Sequence, residues 1–165
     1  MKGHQAPGGL RSDQPPVRVW SDADDQGRVL VLIANDGPID TFTAHVGSCQ
    51  GTTTDLPANY ALRWQHSATA TQEISAGASW RLDVLEFVKE VDEWRIKVHG
   101  VFEDKTLTPR LALNRNGVRI YAPLEMTLAI TSVSTGRVVR HVLTVTAYSV
   151  DDKPVEITSH VVARI

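Results

Sequence analysis

Arg28-Val-Leu-Val-Leu-Ile-Ala34, followed by Asn35-Asp-Gly-Pro38 and then Ile39-Asp-Thr-Phe-Thr-Ala-His-Val46, is the stretch that decides the fold. Val29, Val31 and Ile33 lie on one face of the first segment, Leu30 and Leu32 on the other. A strand apolar on both faces belongs in the middle of a sheet or under a cover. Asn35 tolerates a left-handed backbone and Gly37 adopts one freely. Pro38 removes a ladder donor, so the next strand begins at Ile39. In that strand Phe42, Ala44 and Val46 face one way, and Thr41, Thr43 and His45 the other.

The pattern repeats on both sides. Val17-Arg-Val-Trp20 alternates as a first strand. After a loop at 47–59, Tyr60, Leu62 and Trp64 share a face, and Thr71-Gln-Glu-Ile74 reads as a short strand before the turn Ser75-Ala-Gly-Ala78. Trp80, Leu82 and Val84 alternate again. Asp83-Val-Leu-Glu86 fits a capping box, and Val84, Val88, Val91 and Trp94 fall near helical spacing. A strand to about Leu85 and then one short helix or irregular turn is expected there. Ile96 and Val98 mark another strand. Asn116-Gly117 between 110–113 and 118–121 signals a hairpin. Leu124, Met126, Leu128 and Ile130, answered across Ser134-Thr-Gly-Arg137 by Val139, Leu143 and Val145, predict a second. A turn at 151–154 and a last strand to Ile165 close the chain. These elements predict an all-β, immunoglobulin-like antiparallel sandwich of about nine strands.

The chain has 165 residues, enough for one domain with a core that needs no disulfide or metal. Residues 1–16, rich in Gly and Pro, are expected to form a tail, and 17–165 the sandwich. With 17 basic and 19 acidic residues the net charge is -2, which lacks the field that attracts nucleic acid. The lone Cys49 has no internal disulfide partner. It suits a reducing compartment such as the cytoplasm, and equally a domain of a larger surface or membrane-anchored protein. No apolar run is long enough to span a membrane, and 1–14 lacks the apolar core of a signal peptide.

Two segments resemble a bacterial immunoglobulin-like module: 31–38 leading into 42–46, and Ile74-Ser-Ala-Gly-Ala-Ser-Trp-Arg-Leu82. An apolar strand, Asn-x-Gly, and then Ala-Gly-x-Ser before a strand is similar to the pattern of CARDB-like domains, which are adhesion-associated sandwiches. The resemblance implies an interaction or spacer role with no catalytic residues. It ends after Phe87, and the remaining residues would extend the sheets.

Asp22-Ala-Asp-Asp-Gln-Gly-Arg28 carries the sharpest candidate site. Asp22, Asp24 and Gln26, with the carbonyl of Arg28, match the first half of a calcium loop, and Gly27 permits its turn. The bidentate Glu at the twelfth position is replaced by Ile33, so Asp25 or Asp36 would have to complete the shell. The plain alternative is a solvated acidic turn. His45 and Cys49 lie about 13 Å apart on an extended strand, too far for a catalytic dyad. His66, His99, His141 and His160 are scattered and form no metal-ligand pair. Asp83, Glu86, Glu90, Asp92 and Glu93 sit among Lys89, Arg95 and Lys97 as a solvated face would. Trp20, Trp64 and Trp80 match inward positions, which leaves Trp94 as the expected exposed anchor for a partner. The sequence thus predicts a non-catalytic protein-interaction or spacer module without a cofactor. A calcium- or carbohydrate-binding sandwich is the alternative.

Overall fold

Alternation at a spacing of two governs nearly every segment of the computed structural model, which describes residues 16–24, 26–67, 69–145, 148–149 and 157–162. The expected tail, apart from Pro16, and the expected turn at 151–154 lie outside the described residues. In chain order the strands are β1 (Val17–Ala23), β2 (Arg28–Asn35), β3 (Asp40–Gln50), β4 (Tyr60–Ala61), β5 (Arg63–Trp64), β6 (Thr71–Ile74), β7 (Ser79–Glu90) and β8 (Glu93–Val98). There follow β9 (Lys105–Leu107), β10 (Leu111–Leu113), β11 (Arg119–Tyr121), β12 (Leu124–Ser132), β13 (Val138–Val145), β14 (Tyr148–Ser149) and β15 (Ile157–Val162).

Two sheets form the sandwich, and every pairing is antiparallel. The first has the order β1-β2-β7-β8-β9, with β5 also on β7. The second has the order β15-β13-β12-β3-β4, with β6 also on β3. A small third sheet runs β10-β11-β14. One cluster of buried side chains draws on both large sheets, with Ile33, Leu82 and Ile96 from the first and Phe42, Met126 and Leu143 from the second. Nine strands were expected; fifteen are described, because the segment at 60–64 divides between the two sheets and short strands stand at 105–107 and 148–149.

β2 and β3 are not a hairpin. They belong to different sheets, and 35–38 is the corner between them. Asn35 makes that corner with its side chain rather than with a left-handed backbone. It is 1% exposed. Its Nδ2 donates to the carbonyls of Pro38 (2.8 Å) and Ile74 (2.9 Å), and its Oδ1 accepts the Gly37 N–H at 3.0 Å. Its backbone N–H donates to Ala78 and its carbonyl accepts from Gly77. The two segments that carry the resemblance therefore meet at one buried side chain.

The second crossing lies at 60–64. β4 pairs with β3 in one sheet and β5 pairs with β7 in the other. Leu62, fully buried between them, donates its N–H to Ala44. On the opposite side a buried polar contact braces the sheets: Ser21 Oγ on β1 lies 2.9 Å from His141 Nε2 on β13.

No helix is present among the described residues, so the short helix expected after Leu85 is replaced by a β7–β8 hairpin. The register slips between Val29 and Leu30, leaving Val84 as an extra residue in β7. Val84 and Leu85 are both fully buried, and the inward set changes from Leu82 to Phe87 parity across this bulge. That change of phase, followed by a tight turn, is what imitated helical spacing. A second bulge, at Gly47, lets β3 run on to Gln50 where a loop was expected.

Two predictions follow from these features. Asn35→Ala strips partners from three backbone groups, the buried Ile74 carbonyl and the part-buried Pro38 carbonyl and Gly37 N–H, and should cost about 3 kcal/mol. Thermal melting should then show a midpoint lower by roughly 6–12 °C. At the β7–β8 turn, Val91 is 93% exposed and holds φ 57, a left-handed conformation that a β-branched residue adopts at a cost. Relief of about 1 kcal/mol in Val91→Gly should raise the midpoint by a few degrees; a fall would show that the valine side chain stabilises the turn.

Candidate functional site

The register of the first sheet lays out its outer face row by row. Trp20 pairs with Leu32, and Leu32 with Arg81. Asp22 pairs with Leu30, Leu30 with Asp83, and Asp83 with Arg63. Past the bulge, Arg28 pairs with Glu86 and Glu86 with Lys97. Asp22, Leu30, Asp83 and Arg63, with Arg81, Arg28 and Glu86, floor and wall a groove of about 670 Å³, with Asp24, His66 and His99 at its sides; Trp20, Leu32 and Lys97 stand outside its lining. That volume is within the usual range for ligand clefts.

Ion pairs order one wall. Asp104 Oδ1 lies 3.3 Å from Arg63 Nη1 and 3.7 Å from His99 Nδ1, and its Oδ2 is 3.7 Å from Lys97 Nζ. His99 Nε2 faces Glu86 Oε1 at 3.8 Å. Arg81 differs from its neighbours. Its closest carboxylate oxygen, on Asp83, is 3.9 Å away, and its buried Nε has no hydrogen-bond partner among the described residues. His66 reaches the groove from a left-handed backbone, φ 60.

The residues singled out as a calcium loop stand at one end. Asp24 Oδ1 accepts the N–H groups of Gln26 and Arg28, both at 2.9 Å, and its Oδ2 accepts Arg28 Nε at 2.5 Å. Asp22 Oδ1 accepts the N–H of Ala23. Gly27 takes φ 82 at the turn. The Asp24 carboxylate is thus committed to its own turn. Desolvation raises its pKa, but the hydrogen bonds from Arg28 and Gln26 outweigh this and hold it below the ordinary carboxylate value. Asp36, expected to help complete the shell, instead forms a bidentate pair with Arg18, and Asp25 lies outside the described residues. No group of three His, Cys, Asp or Glu side chains suited to a metal gathers among the described residues.

The tryptophans exchange places relative to expectation. Trp64 is fully buried, as expected. Trp94, the expected exposed anchor, is 7% exposed, its backbone N–H donating to the Tyr121 hydroxyl and Lys89 lying over its ring. It is the second residue of β8, and Tyr121 of β11 reaches it from the third sheet. Trp20 is 40% exposed and Trp80 38%. Val19 is the inward residue of β1, so Trp20 faces out, beneath Arg18 at 5.9 Å. Trp80 has inward parity but stands at the end of β7, beyond the core, where its Nε1 donates to the Gln65 carbonyl at 3.1 Å.

Nucleophile candidates are quiet. Burial pushes the Cys49 thiol up to about 11, far from a thiolate at neutral pH. No hydrogen bond joins it to His45 among the described residues. The Ser21–His141 pair has hydrogen-bond geometry, and with His141 1% exposed it links β1 to β13 across the two sheets.

Sequence reading missed Arg63, His66, Arg81 and His99 as neighbours, since two separate strands, a turn and the segment after β8 bring them together. The outward position of Trp20 was available from Val17 and Val19, which flank it at inward spacing.

The Asp24 turn yields a test. Asp24→Ala should lower stability by about 1 kcal/mol in EDTA and in millimolar calcium alike, read as equal shifts in the melting midpoint. Because Asp24 is held below its unfolded pKa of about 4, its contribution is complete at neutral pH and lost as pH falls through the lower folded value. Asp24→Asn should therefore flatten the acid limb of the stability curve; a calcium-dependent difference between wild type and Asp24→Ala would instead reinstate a cation site.

Compared with known proteins, the chain matches no family model, no curated protein and no solved structure.

Proposed function

We propose that this chain is a non-catalytic interaction module that takes up an extended strand of a protein partner along β10. The observation that carries the reading is the free edge of that strand. β10 pairs with β11 alone among the described residues. The Ala122 N–H donates to the Arg110 carbonyl and the Asn114 N–H to Val118, so the Arg110 carbonyl and the backbone groups of 112 and 114 face β11. The N–H and C=O groups of Leu111 and Leu113 point away from it. Their side chains are 48% and 68% exposed. An unpaired strand edge with outward apolar residues is a template for strand addition.

The hairpin is held firmly enough to serve. Asn114 Oδ1 accepts the N–H groups of Asn116 and Val118, and Gly117 takes φ 77. The Gly51 carbonyl accepts the Arg110 N–H, and the Tyr121 hydroxyl accepts from Trp94.

Charge names the partner's chemistry. No carboxylate occurs from Lys105 to Leu124, while Arg110, Arg115 and Arg119 all do. Arg119 lies opposite Leu113. Like charges on two copies oppose pairing of β10 with itself, and an acidic, apolar-alternating strand is favoured. A role of this kind is what the resemblance to adhesion-associated, immunoglobulin-like domains implies. No helix among the described residues is long and apolar enough to cross a membrane.

Selection of displayed random peptides against the protein should return extended sequences that alternate apolar and acidic residues. Leu113→Pro removes an outward N–H while sparing the bonds to β11, and should abolish their binding with little change in melting. Arg119→Glu should weaken it at least about tenfold. Peptides that bind both variants as well as wild type would overturn this assignment.

A further inference from the structure

We propose a second binding site, for a neutral oligosaccharide, on the outer face of the first sheet. It is independent of the strand-addition reading and lies on different elements. The face combines what a sugar chain requires: a flat apolar platform and polar groups of both kinds, donors and acceptors, fixed in place.

Trp20, whose ring Arg18 overlies at 5.9 Å, supplies one end of the platform beyond the lining of the groove. It is an exposed indole on a strand, continued across the sheet by the half-buried Leu32 to Arg81. At about 4.8 Å per strand the row spans about 10 Å. A second indole borders the face. Trp80 lines a recess of about 380 Å³ that adjoins the main groove at Gln65, His66 and Arg81. The bond from Trp80 Nε1 to Gln65 fixes that ring's edge. From Arg81 to Glu86 the groove extends along β7 by about 16 Å, room for a short chain of sugars rather than one.

Arg81 is the polar anchor. Its part-exposed guanidinium makes no side-chain hydrogen bond among the described residues and lines both recesses, so its outer N–H groups can donate to a ligand in the groove. Hydroxyl groups both donate and accept, so the alternating Arg63, Arg81, Asp22 and Asp83 of the two central rows suit them. The balance of charge argues for a neutral ligand. Three arginines and four carboxylates line the groove (Arg28, Arg63 and Arg81 against Asp22, Asp24, Asp83 and Glu86). An anionic ligand would meet Asp22, Asp83 and Glu86, and a cationic one the arginines.

Calorimetric titration of the full chain with neutral hexasaccharides of glucan, mannan, xylan, galactan and chitin type tests this. At least one should bind with a dissociation constant below about 1 mM, with little dependence on salt. Trp20→Ala and Arg81→Gln should each weaken it at least about tenfold, while Leu113→Pro on the β10 edge leaves it unchanged. Melting curves confirm that the variants fold, as expected for two partly exposed positions. Silence of all five sugars at about 1 mM overturns the proposal. So does binding that survives both substitutions, or binding confined to charged saccharides and abolished by salt. None of these outcomes bears on peptide capture at β10, so the two readings fail separately.

Discussion

Asn35 holds the sandwich together at the place where its sheets must part. Any two-sheet fold needs the chain to leave one ladder and enter the other, and at that point the backbone loses its regular partners. Here one buried amide serves several of them. It accepts from Gly37, donates to Pro38 and reaches Ile74 at the end of β6. Its backbone meets Gly77 and Ala78 in the next turn. A buried polar group stabilises when it is fully satisfied and destabilises when it is not. Asn35 is satisfied only when β2, β3, β6 and β7 are all in place, so this side chain couples the two sheets.

The bulge in β7 solves a second geometric problem. β7 pairs with β2 and β5 in its first half and with β8 in its second. A strict alternation over its length would suit only one half of the core. Inserting Val84 shifts the phase, so that Leu82 and Phe87, of opposite parity, both turn inward. The bulge also turns Glu86 to the outer face beside Arg28, which closes the lower end of the groove. A packing device in the core therefore shapes the surface.

Much of the fold could be read from residue spacing. The hairpins at Asn116-Gly117 and around Gly136 stand where their turn chemistry puts them, with φ 77 and φ 75 at the two glycines. So does the short strand at 71–74. What escaped was non-local. The corner at Asn35 reads like a hairpin turn because both demand the same residue types. The run 84–94 reads like a helix because a bulge and a tight turn shift a period of two toward a period near four. Trp94 looked exposed because nothing nearby in sequence covers it; Tyr121 reaches it from the third sheet. The acidic stretch at 22–28 did mark one end of the groove, although Asp24 serves its turn. Arg81 and His99 carried no local signal at all, since their neighbours come from other strands.

The two surfaces offered to partners differ in kind, and the fold explains why. The outer face of the first sheet has spent its backbone hydrogen bonds on the ladder, so only side chains remain to recognise a ligand, and these are mixed in sign and set in rows. The β10 edge has the opposite endowment. Its backbone is unspent on one side, its side chains are few and apolar, and its charge is of one sign. Recognition on the face thus depends on the shape and hydrogen-bonding pattern of the ligand and is insensitive to salt. Recognition at the edge depends on strand geometry and on arginines, and weakens as ionic strength rises. Neither surface draws on Asn35 or Leu62, and the face depends on the bulge only for the outward turn of Glu86, so most residues at both can change without disturbing the contacts that hold the sheets together.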